Sequence, residues 1–249
     1  MLYYQQQGQG LPVVFLHGWG FFGDIWSSVT DNLPDYQTFA VDLAGYGKSQ
    51  PLNDYSLKNI ADAVVKSLPL QQPAVWVGWS LGGLIALAIA RYYPQKIAGM
   101  VLVASTPCFI QRPDWHHAVP VSSLDAFGQQ VITDHHTALK RFAHLHLKNK
   151  NQRQHLLQQL QQHSQPTLAT LTAGLHLLKN SDERDMIQQQ HSLLWILGQR
   201  DLLIPATLAQ VYQAQPQIDC HCIQGAGHLP FISHQQQFLD LLKNYLSSL

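Results

Sequence analysis

The chain is predicted to fold as an α/β protein: a mainly parallel central sheet flanked by helices, with a helical segment inserted between core strands. Three observations carry this prediction. Short apolar runs alternate with stretches of helical period, the pattern of strands joined by crossover helices. Residues 109–190 break that alternation with amphipathic stretches and no convincing strand. Gly78-Trp79-Ser80-Leu81-Gly82 lies between an apolar run and a helix of small residues, a strand-to-helix turn of special composition.

The elements follow in order. Strands are predicted at residues 11–16, 37–41, 74–77 and 97–103, then, after the gap, at 193–197 and 218–223. Helices are predicted at 56–68, 82–92, 205–213 and 234–246. The last shows Phe238, Leu241, Leu242 and Tyr245 at helical spacing. Within the gap, residues 139–147, 155–160 and 168–178 read as amphipathic helices. Residues 1–108 and 191–249 therefore form the expected core, and 109–190 a helical lid over the C-terminal ends of the strands, where ligands bind in open α/β sheets. No internal repeat is present, and the short Gln-rich run at 158–165 reads as a solvated helix face.

At 249 residues the chain suffices for one α/β domain with a large core. Apolar residues at 46% are ordinary for a globular protein, whereas charged residues at 12% fall well below the usual roughly one quarter. Lys+Arg and Asp+Glu both number 15, so the overall balance points to no nucleic acid. Cys108, Cys220 and Cys222 form neither a C-x-x-C pair nor a metal-ligand spacing with histidine. Cys220 and Cys222 share one strand face, too close for an unstrained disulfide. Neither a metal nor an organic cofactor is expected. The N-terminus lacks a charged and apolar leader pattern, and no apolar run approaches the roughly 20 residues of a membrane span. A soluble, cytoplasmic, monomeric protein is expected.

The turn at Ser80 carries the chemistry. Glycines at 78 and 82 suit a crowded, strained backbone that presents a serine hydroxyl as nucleophile. The following helix aims its partly positive N-terminus at the place where an oxyanion develops. A serine hydroxyl needs a base, and the base needs an orienting group. In the chain order Ser…Asp/Glu…His, the acid follows the next core strand and the histidine the last one. Asp201, in Gly198-Gln199-Arg200-Asp201, holds the acid position; the other reading is a loop or helix-capping aspartate. Asp219 ranks behind it. Among 14 histidines, His228 in Gly225-Ala226-Gly227-His228-Leu229-Pro230 stands out, because a glycine-rich loop reaches over the sheet edge. Backbone N–H groups of Leu81 and Trp19, the latter in Leu16-His17-Gly18-Trp19-Gly20, are the expected oxyanion donors. His17 reads as a loop-fixing hydrogen bonder and Asp42 as structural.

Together these pieces resemble the α/β-hydrolase family over essentially the whole chain. Within it, His17-Gly18-Trp19-Gly20, the Gly78-Trp79-Ser80-Leu81-Gly82-Gly83-Leu84 elbow, Ser105-Thr106-Pro107-Cys108-Phe109 and Pro230-Phe231-Ile232-Ser233-His234 resemble the bacterial biotin-synthesis carboxylesterases. The resemblance implies hydrolysis of the methyl ester of pimeloyl-[acyl-carrier protein], with Ser80 as nucleophile, Asp201 as acid and His228 as base. It also implies substrate contacts from Trp19, Leu81 and the lid residues Phe142, Ala143, His144, Leu145 and His146. Ala44 departs from the family's frequent proline, and residues 152–190 diverge strongly.

Charge distribution adds a separate argument. Residues 135–181 hold six bases and no acids, so this segment is +6 and the rest of a neutral chain −6. A basic lid suits an anionic partner, and acyl carrier proteins are acidic. Lys140, Arg141, Lys148, Lys150 and Arg153 are the docking candidates; the other reading is a solvated helical face. Two alternatives stay open: a general short-chain carboxylesterase acting on free small esters, and a hydrolase-fold binding module without turnover. Serine rather than aspartate at the elbow disfavours a dehalogenase.

Overall fold

The structure, a computed structural model, describes residues 1–212 and 215–249. Seven strands form one sheet: β1 (Tyr4–Gln7), β2 (Pro12–Leu16), β3 (Gln37–Val41), β4 (Ala74–Trp79), β5 (Ile97–Val103), β6 (Leu193–Gly198) and β7 (Ile218–Ile223). Their order is β1-β3-β2-β4-β5-β6-β7, and every pairing is parallel except β1 with β3. The chain leaves β2 toward β3, then returns to lay β4 on the other side of β2. That reversal opens a crevice beyond the C-terminal ends of β2 and β4. The loop carrying Gly18 and Trp19 leaves β2 there, and Ser80 follows β4 directly.

Of the six anticipated strands, β2 to β6 form because their residues are largely apolar on both faces, as a parallel sheet covered on two sides requires. Edge strand β7, by contrast, buries only Ile218 and Ile223 fully. Phe15, Val77, Val103 and Ile196 pack on one side; Leu16, Trp76, Leu102 and Trp195 pack on the other. β1 has no such signature. Gln5, Gln6 and Gln7 are exposed, and the strand exists through its backbone ladder to β3, with Tyr4 opposite Val41. A polar edge strand of this kind leaves no hydrophobic period to read.

Helices α1 (Leu57–Ser67) and α2 (Leu81–Tyr92) cover one face of the sheet. The insertion between β5 and β6 contributes α3 (Val121–Thr133), α4 (His135–His146), α5 (Lys150–Gln161) and α6 (Leu168–Asn180). Two more helices, α7 (Leu208–Tyr212) and α8 (Gln235–Ser247), flank the last strands. Caps start several of them. Ser56, Asp134 and Thr167 each accept an N–H three residues on, from Asn59, Thr137 and Thr170. Of the helix predicted at 205–213, residues 208–212 are helical, and Gln213 lies outside the described residues.

Helix α3 was not anticipated. It starts behind Pro120 without a side-chain cap and contains Gly128, which in sequence reads as a helix breaker. In the fold, the Leu175 side chain of α6 occupies the space where a Cβ on Gly128 would stand. The glycine is thus a close-packing contact between two insertion helices. Among the described residues, no helix is long and apolar enough to cross a membrane.

Candidate active site

Ser80 lies where β4 gives way to α2, at φ 54° and ψ −118°. A non-glycine residue in a sparsely populated backbone region stores about 1–3 kcal/mol, and persists only where neighbours over-determine it. Here the Ser80 N–H donates to the Val103 carbonyl at 3.0 Å. The Ser80 carbonyl accepts from Gly83 N at 2.9 Å and from Ser105 Oγ at 2.7 Å. The flanking glycines are steric necessities: a Cβ on Gly78 would strike the Gly82 carbonyl, and one on Gly82 the Leu16 carbonyl.

Asp201 follows β6 and His228 follows β7. Their side chains meet, with His228 Nδ1 2.7 Å from Asp201 Oδ2 and both groups buried. The other carboxylate oxygen accepts from Leu203 N at 2.8 Å and Ile204 N at 3.1 Å. A carboxylate held at both oxygens fixes the imbalance of charge and the orientation of the ring, and leaves Nε2 as the nitrogen able to take a proton. Ser80 and His228 line one cavity, although no hydrogen bond joins their side chains among the described residues. Nucleophile–base hydrogen bonds are often long without substrate and tighten in the complex.

The loop after β2 supplies the opposite wall. His17 is buried, and burial pulls its pKa down to about 4, so the ring is neutral at pH 7. Its Nε2 accepts the Leu43 N–H at 3.0 Å, which ties the loops after β2 and β3 together. Asp42 accepts from Gly23 N and Lys48 N, at 2.8 and 3.0 Å, and is likewise committed to loop structure. The backbone N–H groups of Trp19 and Leu81 have no hydrogen-bond partner among the described residues. Leu81 is the first residue of α2, where the N–H has no carbonyl four residues back within the helix to bond. The Trp19 indole N–H is used elsewhere, donating to the Leu171 carbonyl of α6 at 3.0 Å.

The cavity is a narrow cleft with about 20 Å³ of free space. Trp19, Phe21, Phe109, Phe127, Phe142 and Leu178 form much of its wall, and among the described residues no Asp, Glu, Lys or Arg lines it. Such a lining favours an uncharged hydrocarbon chain over a carboxylate. Among the described residues, no group of three His, Cys, Asp or Glu side chains is arranged to hold a metal.

The five residues 142–146 of α4 are placed very differently from one another. Phe142 lines the cavity, and Ala143 is buried in the core. His144 and Leu145 are exposed, Leu145 at 66%. His146 is buried outside the cavity lining, with Nδ1 accepting the His228 N–H at 3.0 Å. Lys140, Arg141, Lys148 and Lys150 are exposed, and none forms an ion pair among the described residues, whereas Lys179 pairs with Asp125 at 2.7 Å. Arg153 is half-buried and donates Nη1 to the Leu147 and Lys148 carbonyls, each at 2.7 Å.

Several contributors escaped sequence reasoning. Trp79 donates its indole N–H to the His228 carbonyl at 2.8 Å, and its place inside the elbow is the only sequence signal of that role. His135 Nε2 lies 3.1 Å from the Gly20 carbonyl. The wall residues Val119, Leu124, Phe127 and Leu203 carry no motif at all.

The sheet order, the strained serine after β4 and the paired acid and histidine after β6 and β7 define a class, and comparison with known sequences agrees with it. The sequence family described as "Alpha/beta hydrolase family" matches residues 13–241, and the chain belongs to that family. A pimeloyl-[acyl-carrier protein] methyl ester esterase of Xylella fastidiosa (strain M23) is 36% identical over 258 residues, covering 100% of both chains. The enzyme of that name from Yersinia pseudotuberculosis serotype IB (strain PB1/+) is 36% identical over 252 residues, covering 98% of this chain and 96% of its own. Among solved structures, an esterase from Exiguobacterium antarcticum superposes with a TM-score of 0.88 at 23% identity, covering 99% of this chain and 95% of its own. At that identity the likeness speaks for the fold.

Proposed function

We propose that this α/β hydrolase is a serine carboxylesterase that converts the methyl ester of pimeloyl-[acyl-carrier protein] to pimeloyl-[acyl-carrier protein] and methanol, in biotin biosynthesis in the cytoplasm. The coarser assignment, a carboxylic ester hydrolase, is supported by membership of the hydrolase family and by full-length relatives named as esterases. The observation that carries the mechanism is the buried His228–Asp201 pair, facing the same apolar cavity as a serine on a strained turn.

His228 Nε2, with Asp201 holding Nδ1, takes the Ser80 proton as Oγ bonds to the ester carbonyl carbon. The carbonyl oxygen becomes an oxyanion, and the free N–H groups of Trp19 and Leu81 bond to it. Collapse of this intermediate breaks the carbon–oxygen bond to the methoxy group, which leaves as methanol with the proton from His228. Water, deprotonated by His228, then attacks the acyl carbon; the acyl–Oγ bond breaks, His228 returns the proton to Ser80 Oγ, and pimeloyl-[acyl-carrier protein] leaves as the free acid. Residues 109–190 act as the lid, its helices closing an apolar space suited to the methylene chain. Lys140, Arg141, Lys148 and Lys150 remain available to an acidic carrier protein outside it.

Purified protein incubated with the carrier-linked methyl ester is expected to release methanol and the free acid by mass spectrometry. Ser80→Ala is expected to abolish turnover with the fold retained. Near-wild-type hydrolysis by a pure, folded Ser80→Ala sample overturns the nucleophile assignment. One observation favours a broader enzyme: nothing lining the cavity distinguishes a carrier-linked ester from a free one. If free short-chain esters give kcat/KM equal to the carrier-linked ester, the general carboxylesterase is the right reading.

A further inference from the structure

The geometry points to His146 as a positioning residue: its Nδ1 holds the His228 main chain and thereby ties the base to the docked state of insertion helix α4. The inference rests on the reading of Ser80, Asp201 and His228 as the catalytic set.

His228 is clamped on three sides. Asp201 holds its ring, the Trp79 indole holds its carbonyl at 2.8 Å, and His146 Nδ1 accepts its N–H at 3.0 Å. Asp201 lies in the loop after β6 and Trp79 ends strand β4, whereas His146 belongs to the insertion. Gly227 makes the approach feasible. A Cβ there would lie 2.8 Å from His146 Nδ1 and 3.1 Å from its Cα and carbonyl oxygen, so a side chain at 227 would push the His146 ring from its place. The acceptor role requires an unprotonated Nδ1. Burial supplies that state, lowering the His146 pKa to about 4 against the opposing pull of Asp201, with neighbouring His228 reinforcing the shift. The Phe142 ring, 4.6 Å from the His146 ring, ties the same turn of α4 to the cavity wall. When α4 moves away, the base loop loses one of its anchors. A misplacement of the base by about 1 Å is enough to cost roughly 100-fold in rate.

The variants are His146→Leu, which keeps bulk and removes the acceptor, and His146→Asn, whose Oδ1 stands the same number of bonds from Cα as the histidine Nδ1. Steady-state kinetics on the carrier-linked methyl ester and amide hydrogen exchange of His228 by NMR are measured on all three proteins. Leu is expected to lower kcat about 10- to 100-fold, with KM within about twofold of wild type, and to speed exchange of the His228 amide. Asn is expected to restore both kcat and protection. Wild-type kcat in the Leu variant overturns the proposal. So does a raised KM with kcat retained, which marks a substrate contact, or failure of a folded Asn variant to recover. The exchange measurement decides the anchoring even if wild-type protein proves inactive on esters; that inactivity sinks the esterase reading alone.

Discussion

At the scale of single residues, the candidate site is a set of constraints on a few atoms. Ser80 is held at positive φ by three backbone and side-chain hydrogen bonds, so its hydroxyl has little freedom to leave the cavity. Asp201 does more than carry charge. Its Oδ1 accepts two N–H groups while Oδ2 faces His228 Nδ1, which makes the tautomer with a proton on Nδ1 the stable one. Asp201→Asn preserves the two loop bonds through its amide oxygen and presents an NH₂ donor to the ring. The histidine proton must then move to Nε2, where a base is needed. By analogy with such substitutions elsewhere, kcat is expected to fall about 10³- to 10⁴-fold with the melting temperature nearly unchanged. Stopped assays and thermal melts on the purified variant check both halves. Sequence position picked out Asp201 and His228, because each follows a strand tip in the order such sites require. It offered no view of Trp79 or His146 as holders of the His228 main chain, since those bonds span 149 and 82 residues.

At the scale of elements, the insertion helices divide their duties by face. The inward face of α4 supplies Leu139, Phe142 and Ala143 to the core, and its outward face carries Lys140, Arg141 and Leu145. The basic excess read from residues 135–181 survives folding as exposed cations that have no acidic partner among the described residues, apart from Lys179, which pairs with Asp125, and the half-buried Arg153. Lys140→Glu, Arg141→Glu and Lys148→Glu together reverse this surface and leave the Arg153 bonds untouched. At low ionic strength the triple variant is expected to lose roughly tenfold or more in kcat/KM on the carrier-linked ester, with kcat/KM on a free methyl ester retained. The difference should shrink as salt is raised, because screening acts on exposed charges. Unchanged kcat/KM at low salt removes the electrostatic docking idea.

At the scale of the whole molecule, buried neutral histidines make stability depend on pH. His17 and His146 are both lowered to about 4, chiefly by burial. Their unfolded values lie near 6.5, so between those limits the unfolded chain binds more protons than the folded one. Stability contributed by each is full above about pH 6.5 and is lost as pH falls toward 4. For shifts of this size it is on the order of 3 kcal/mol per group. Glu183 acts in the opposite sense. Burial raises its carboxyl despite the Arg91 guanidinium, so its contribution favours the folded state at low pH and is lost as pH rises. Burial lowers His135 as well, and hydrogen bonds lower several aspartates, so the groups that lose stability on acidification outnumber Glu183. The melting temperature is expected to drop steadily from pH 7 to pH 4.5, and the drop should be smaller in His146→Asn. A flat profile over that interval argues against neutral burial of these rings.

The alternation of strands and helices, the glycine-flanked serine turn, the helical character of the insertion and its basic excess were determined by the sequence alone. Each is a local matter: a side-chain period matched to a backbone period, a missing Cβ where backbones collide, or a count of charges. Tertiary structure decided what local pattern cannot encode. It placed the polar β1 on the sheet edge, packed Gly128 of α3 against Leu175, and separated the neighbouring residues of α4 into cavity wall, core, solvent face and a hydrogen-bond acceptor for the His228 main chain. These outcomes rest on contacts between segments far apart in the chain, whose energies exist only once the sheet has brought its loops together.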